Sequence, residues 1–549
     1  MHGLMQDSPL SLPMLMDGME SRFGTKRVTT TYVDGTRTST YRDLATRIRR
    51  LANVLDRLQV PEGARVGSFG WNSQNHLELY MAVPCSRRIL HTINHRLFAD
   101  DIAYIINDAD DDVLFVDRSI LATVFPLLDG CPQVRYLVVM EDGSAATLPA
   151  DPRILRYEEL MLQAVPAALP GVPDERTAAA LCYTSGTTGR PKGVLYDHRS
   201  IVLHAMTLMM RDTSGLGEDD VIMPIVPMFH ANAWGLPYAA LMSGADLVLP
   251  GPVMGPENLA ENMSTYRVTF AAAVPTIWRG MLDHLAKHDF TAVRRLASGG
   301  GALPPALSKA FHESIGVPIT SSWGMTEASP TICIARVHSQ DRAGQSADAG
   351  LETLAIPGPP TMLCALRLVA DDGTQVPHDG SARGELQVSG PTIASGYFGA
   401  AQDASAFTAD GWLRTGDVAT IDHFGAVRIV DRSKDLIKSG GEWISSVELE
   451  NEIMSMAGVS EAAVIGIPDP KWGERPMAHV VPAEGSTLLP EDIRSYLRAR
   501  IASWWIPESI HVRGQIPKTA TGKISKAQLR QSVLLPEESD HQDLETHAR

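Results

Sequence analysis

The sequence predicts an α/β protein, with a large multi-layer N-terminal α/β domain and a small α+β C-terminal domain. Three observations predict it. Short apolar runs alternate with longer helical patterns over several hundred residues, which is how α/β layers are written. That alternation gives way near Asp431 to a charged link and a shorter strand and helix pattern. The chain has 549 residues, more than one compact core supports.

Taken in order, Tyr41 to Leu58 places Leu44, Ile48, Leu51 and Leu55 at three- and four-residue spacing, the apolar stripe of a helix packed on a core. The short apolar runs beginning at Asp112 (DVLFV), Val134 (VRYLVV) and Ala245 (ADLVL) read as buried strands. Beyond Asp431 the charged link ends in Gly440-Gly441. A helix follows whose Ser445 and Glu448 have the capping-box spacing. Two short strands, Ala462 to Ile467 and His479 to Pro482, precede a helix near Asp492 to Arg500. These shifts divide the chain into residues 1–433 and 434–549, with a boundary near Lys434. The acidic tail from Pro536 carries too little apolar surface to fold and is expected to be disordered.

Composition excludes several classes. Hydrophobic residues make up 44% and charged residues 20%, an ordinary globular balance. A net charge of −16 argues against a nucleic-acid partner, because phosphate backbones need clustered Lys and Arg. Any anionic ligand must therefore be captured by a local cationic site. Cys85, Cys131, Cys182, Cys333 and Cys364 show no metal-ligand spacing and read as buried, reduced thiols. The N-terminus lacks a charged-then-apolar leader, no apolar run is long enough to span a bilayer, and the C-terminal THAR is not a peroxisomal address. The expectation is a cytoplasmic protein; its oligomeric state stays open, a homodimer included.

The densest local signal is the segment from Tyr183 to Val194, YTSGTTGRPKGV. Thr184, Ser185, Thr187 and Thr188 interleave with Gly186 and Gly189. Such a loop can wrap backbone N–H groups and hydroxyls around a polyphosphate, with Lys192 supplying charge. It is not a Walker A loop, which places Lys directly after the last Gly and Ser or Thr after the Lys, so a P-loop NTPase is disfavoured. A plain Gly/Ser/Thr turn would be the ordinary reading of a lone glycine loop, but further motifs follow in order. They are Ser298-Gly-Gly-Gly-Ala302, Trp323-Gly-Met-Thr-Glu327 and Gly411-Trp-Leu-Arg-Thr-Gly-Asp417, then Asp431-Arg-Ser-Lys-Asp435 and Pro517-Lys-Thr-Ala-Thr-Gly-Lys523. Together this set, from roughly Thr177 to Lys526, resembles the adenylate-forming superfamily of acyl-CoA synthetases, luciferases and peptide-synthetase adenylation domains.

The resemblance implies a role for each matching residue. Gly300, Gly301 and Ala302 would let the backbone approach adenine and the acyl carbonyl closely. Ser322, Trp323, Gly324 and Met325 would line the nucleotide, with the indole stacked on adenine where many relatives carry Tyr. Thr326 would hydrogen-bond the α-phosphate, and Glu327, with Thr187, would hold Mg²⁺ through hard oxygen ligands. Asp417 would accept from the ribose hydroxyls, assisted by Arg432. A solvated loop carboxylate is the ordinary alternative for Glu327 and Asp417 taken singly. Lys523 would bridge the acyl carboxylate and the α-phosphate, where anions converge and further charge develops. His230 would lie beside the acyl carboxylate, although a core histidine fits that position equally well. Trp234, Gly235, Val274, Pro275, Thr276 and Gly300 would wall the acyl pocket. After a hinge at Lys434, Lys438, Ser439, Gly440, Gly441, Glu442 and Trp443 would line the coenzyme A tunnel, a flexible linker being the competing reading of the glycine pair.

The implied activity is ATP-dependent carboxylic acid:CoA ligation: acyl-AMP plus pyrophosphate first, then acyl-CoA plus AMP, with a mobile C-terminal lid. The aspartate that pairs with a substrate ammonium in amino-acid-activating relatives is missing near His230, which points to a plain acyl or aryl acid. Trp323-Gly-Met-Thr-Glu, Ser439-Gly-Gly-Glu-Trp and Ala502-Ser-Trp-Trp are most similar to medium-chain fatty-acyl-CoA synthetases and 3-methylmercaptopropionyl-CoA ligases. An acyl-AMP ligase loading a carrier protein, an aryl-CoA ligase and a non-catalytic binder are the alternatives. The intact Lys192, Glu327 and Lys523 disfavour the last. One segment departs from the pattern: Arg87 and Arg88 stand where relatives are small and apolar, which affects either packing or an interface.

Overall fold

A computed structural model describes residues 3–184, 190–340, 346–399, 403–440, 442–519 and 523–534. The chain divides into two compact units. The larger comprises residues 1–186, 190–415 and 420–428; the smaller comprises 187–189, 416–419 and 429–549.

The larger unit holds the antiparallel strands 365–369 and 384–389 of a four-stranded sheet, but two largely parallel sheets form most of it. One has eight strands in the order 331–334, 319–324, 295–298, 270–273, 221–224, 246–249, 27–32 and 35–40. The other has seven, in the order 154–156, 136–140, 111–117, 65–69, 89–92, 178–183 and 193–197. The apolar runs fall where expected: Asp111–Asp117, Tyr136–Met140 and Asp246–Leu249 are strands, and most of their side chains are buried. Continuous burial is what a parallel sheet covered on both faces requires. Helix Tyr41–Arg57 buries Leu44, Ile48, Leu51 and Leu55, and starts at a complete capping box between Thr40 and Asp43. All five cysteines are buried and free.

The two unexpected arginines are packing residues. Arg88 is buried, donates to the carbonyls of Val60 and Ser86, and pairs with Asp56 at 2.8 Å. Arg87 takes φ 59° and donates to the carbonyl of Gly171. Together they fasten the end of one helix and a neighbouring loop.

The smaller unit holds a five-stranded sheet in the order 442–444, 437–439, 473–482 and 459–469, with 509–512 paired to 473–482. Ser445 caps helix Ser446–Met454 by accepting from the Glu448 amide, and helix Pro490–Arg498 follows later. Two features differ from expectation. The strands Val459–Asp469 and Gly473–Pro482 are longer than the sequence suggested, because they pair across ten register positions. The stretch expected as a charged link contains a hairpin, Ile437–Ser439 with Glu442–Ile444. Three-residue strands leave too few alternating side chains to be read from periodicity. Residues beyond Leu534, including the acidic tail, lie outside the described residues.

Candidate active site

In the larger unit the antiparallel pair 178–183 and 193–197 brings the two ends of the glycine-rich loop together. Thr184 N donates to the carbonyl of Lys192 at 2.9 Å, and Lys192 N donates to Thr184 Oγ1 at 3.1 Å. This reciprocal clasp closes the neck of the loop. Its tip, Ser185, Gly186, Thr187, Thr188 and Gly189, lies outside the described residues.

From that neck a chain of contacts runs to the Glu327 region. The Lys192 ammonium pairs with Asp403 at 2.7 Å and sits over the Tyr397 ring, 4.9 Å from its centroid. The Tyr397 hydroxyl donates to Glu327 Oε1 at 2.7 Å. Burial and the Glu327 carboxylate beside it push the Tyr397 phenol well up, so it stays a donor. Ala394 N donates to the Glu327 carbonyl, and the Tyr196 hydroxyl donates to the Thr326 carbonyl at 2.6 Å. Thr326 and Glu327 are 8% and 7% exposed, so each sits in a prearranged polar recess rather than a solvated loop. Tyr397, Asp403 and Tyr196 carry no motif of their own; an aromatic and a carboxylate converging on Lys192 show only in three dimensions.

Ser322, Trp323 and Gly324 form the end of strand Ile319–Gly324, which turns at Met325 into Thr326. The turn is tight: a Cβ on Gly324 would lie 2.0 Å from the Pro330 carbonyl oxygen. Ser322 Oγ donates to the Ser298 carbonyl at 3.1 Å, which joins this strand end to the Gly299–Ala302 loop. Gly299 is required there, since an added Cβ would lie about 3.0 Å from both Ser322 and the Trp234 indole. Gly300 takes φ 77°, and Gly301 and Ala302 are exposed, so this backbone is open to a ligand.

Trp234 is presented by an unusual turn. Ala231, Asn232, Ala233 and Trp234 take φ of 43°, 51°, 49° and 54°, and Gly235 follows at 73°. Left-handed backbone costs about 1–2 kcal/mol for an ordinary L-residue, so four in succession mark a strained segment of the kind found at functional sites. The ring of His204 packs where a Gly235 side chain would be, and its Nε2 accepts from Thr331 N. Burial pushes His204 down to about 3, which keeps it neutral.

The Trp234 indole helps enclose a cavity against one face of the eight-stranded sheet. Period-two spacing supplies that face: Phe270 and Ala272, Arg295 and Ala297, Thr320 and Ser322. Leu208 and Leu236 lie opposite. His230 is half-buried, and its backbone N–H donates to the carbonyl of Pro227. Of the residues expected to wall the acyl pocket, Trp234 lines this cavity, whereas His230, Gly235, Val274, Pro275, Thr276 and Gly300 lie outside its lining; Val274 caps helix Pro275–Met281, which Pro275 and Thr276 begin.

In the smaller unit Asp417 is 3% exposed and pairs through Oδ1 with Arg432 Nε at 2.6 Å. Lys523 is clasped to Thr519, whose N–H donates to the Lys523 carbonyl at 2.6 Å and whose Oγ1 accepts from the Lys523 N–H at 3.2 Å. Burial pushes the Lys434 ammonium below its ordinary range. Gly440, φ 62°, turns the 437–444 hairpin, where a Cβ would meet the Trp472 ring at 2.8 Å; Gly441 lies outside the described residues. Lys438 sits over Trp443, 4.4 Å from the ring centroid, next to Glu442, and Ser439 Oγ accepts from Arg475.

Residues 20–398 match the family model for AMP-binding enzymes, and residues 448–523 match that of the AMP-binding enzyme C-terminal domain. The chain is 41% identical to a 3-methylmercaptopropionyl-CoA ligase of Ruegeria lacuscaerulensis, over 96% of this chain and 98% of that protein. It is 43% identical to a long-chain-fatty-acid–CoA ligase of Thermus thermophilus, over 96% of each. A crystal structure of an anthranilate CoA ligase in complex with anthranoyl-AMP superposes with a TM-score of 0.85 at 26% identity, over 96% of this chain and 99% of that one. With the loop neck, the Glu327 recess and the Trp234 cavity arranged as described, the chain belongs to the family of AMP-binding enzymes.

Proposed function

We propose that the protein is an ATP-dependent carboxylic acid:CoA ligase acting on a medium-chain fatty acid or 3-methylmercaptopropionate. The observation that carries this reading is the continuous line of contacts from the clasped loop at Lys192 through Tyr397 to Glu327. That line provides one polar recess for a triphosphate, beside an apolar cavity for an acyl chain. Relatives with full-length coverage are named for 3-methylmercaptopropionyl-CoA and fatty-acid–CoA ligation, which supports the thioester product and the substrate range.

In the first step a substrate carboxylate oxygen attacks the α-phosphorus and pyrophosphate leaves, giving acyl-AMP. Lys523 stabilises the converging negative charge, and Thr326 donates to an α-phosphate oxygen. Asp417, with Arg432, accepts from the ribose hydroxyls. Trp323 stacks on adenine, and His230 orients the acyl carboxylate. In the second step the thiolate of coenzyme A attacks the acyl carbonyl and AMP leaves. The residues from Lys438 to Trp443 line the path of the pantetheine arm, and rotation at Lys434 exchanges that face for the Lys523 face.

The Glu327 recess fits Mg²⁺: a carboxylate has two oxygens with about four lone-pair sites, and Tyr397 engages one of the oxygens. Glu327, with Thr187 of the loop, would hold the ion, which supplies neutralisation of phosphate charge when bound. The protein would work in the cytoplasm, with ATP, coenzyme A and a small carboxylic acid as its ligands. No described helix is long and apolar enough to cross a membrane.

The deciding experiment is pyrophosphate release with and without coenzyme A across short, medium-chain, thio-substituted and aromatic acids. Medium-chain or thio-substituted acids should give the highest kcat/KM, and a stoichiometric acyl-CoA product should form. Product appearing only with an added carrier protein would overturn the reading in favour of an acyl-AMP ligase.

A further inference from the structure

The cavity beneath Trp234 is apolar along its length but not at its far end. Along strand Arg295–Ser298 the side chains of Arg295 and Ala297 face it, and Ser298 leads into the Gly299–Ala302 loop. Three residues of strand span about 10 Å, so Arg295 lies roughly the length of a medium-chain alkyl tail from the acyl-activating end. Thr213 and Ser214 border the same end.

Arg295 is half-buried there and donates to the Thr213 carbonyl. A guanidinium has five N–H donors, and among the described residues this carbonyl is the acceptor it meets. The nearby carboxylate, Asp220, is engaged by the neighbouring Arg294 and by Thr269. Among the described residues no carboxylate pairs with Arg295. Burial and the adjacent Arg294 push its guanidinium below the ordinary arginine value. Asp220 offsets this in part but is already paired with Arg294, so N–H donors of the half-buried Arg295 guanidinium face the open space of the cavity.

We propose that Arg295 reads the far end of the acyl substrate, so that the cavity takes a medium-length carboxylic acid whose distal end bears an oxygen acceptor, a second carboxylate or a hydroxyl. This rests on the assignment of the cavity as the acyl site. It narrows the medium-chain acid of the proposed function to one with an oxygen-bearing distal end, makes Arg295 a specificity residue remote from the reacting carboxyl group, and disfavours both methyl-ended acids of equal length and the shorter 3-methylmercaptopropionate.

The test compares kcat/KM for octanoate, its ω-hydroxy derivative and octanedioate in the wild-type protein and in Arg295→Met. The wild type should favour one or both oxygen-ended acids over octanoate by about tenfold, the discrimination of one hydrogen-bonded polar contact. Preference for the diacid alone identifies a carboxylate site, and preference for the hydroxy acid alone a neutral acceptor site. In Arg295→Met the ratio should fall to one or invert. Because the ratio is read within each variant, a general loss of folded enzyme cancels. If Arg295→Met does not fold, Arg295→Gln keeps a donor for Thr213 and should still lose most of the diacid preference. Octanoate equalling or exceeding both in the wild type, or a ratio that survives both substitutions, overturns the proposal. Trp234→Ala separates this from failure of the underlying assignment. A shifted chain-length ranking in Trp234→Ala with an unmoved Arg295 ratio sinks only the Arg295 role, whereas no change in either sinks the acyl assignment of the cavity.

Discussion

Glu327 and Lys523 carry the two charges the proposed chemistry needs, and the protein sets them by opposite means. Glu327 follows a strand end of the eight-stranded sheet, is 7% exposed, and is fixed by Tyr397 and by its own backbone to Ala394. Lys523 is half-buried and held by backbone bonds to Thr519 beside the bridge between Lys518 and Ile524. The first position is prearranged by core packing; the second is flanked by residues of a small apolar cluster, Ile516, Ile524 and Leu529. The contrast teaches that the carboxylate is built to stay put and the lysine to be presented.

Four substitutions break or sharpen that comparison. The largest effect is expected for Lys523→Ala: acid-dependent pyrophosphate release should fall by about 10³-fold, the upper range for one transition-state contact. Its thermal unfolding should shift little, since surface changes move stability by about 0.5 kcal/mol. Glu327→Ala should lower the same rate by about 10²-fold. The loss should come with a raised Mg²⁺ requirement, and an unchanged Mg²⁺ dependence of the rate would show that the carboxylate holds no metal. Tyr397→Phe removes only the hydroxyl that steadies Glu327. A hydrogen bond to a charged group contributes about 1.5–3 kcal/mol, so a loss of about tenfold is expected, read as a raised Mg²⁺ requirement at unchanged acid KM. The smallest effect belongs to Asp403→Asn, which releases Lys192 from its ion pair. Exposed pairs contribute about 0–1 kcal/mol, so the KM for ATP should drop by a few-fold; a rise would mean that Asp403 positions the lysine instead of competing for it.

Much of the larger unit was legible because its strands are long apolar runs and Tyr41–Arg57 carries an unbroken helical stripe. The ordered motifs marked the nucleotide recess, and Gly299, Gly324 and Gly440 occupy positions where a side chain would collide with backbone or an aromatic ring. What sequence reading missed is what spacing cannot encode. Tyr397 and Asp403 meet Lys192 across some two hundred residues. The left-handed turn at Ala231–Trp234 contains no glycine, which comes only after it at Gly235, so little in its composition announced positive φ. Arg295 stands beside Arg294 in the sequence, and only the structure shows that Arg295 lines the cavity while Arg294 pairs with Asp220. Arg87 and Arg88, left open between packing and an interface, resolved as packing only once their carbonyl partners were visible.

The central claim is that one small unit presents two faces in turn, Lys523 for adenylation and the Gly440 hairpin for thioester formation. Separate half-reaction assays on Lys523→Ala and Lys434→Pro test it most directly. Proline fixes φ near −65° and removes an N–H, so Lys434→Pro should hold the hinge in one orientation. The account predicts crossed defects. Lys523→Ala should fail to form acyl-AMP from acid and ATP, yet convert supplied acyl-AMP and coenzyme A to the thioester. Lys434→Pro should form acyl-AMP and stall at transfer to coenzyme A. Equal loss of both half-reactions in each folded variant would contradict it.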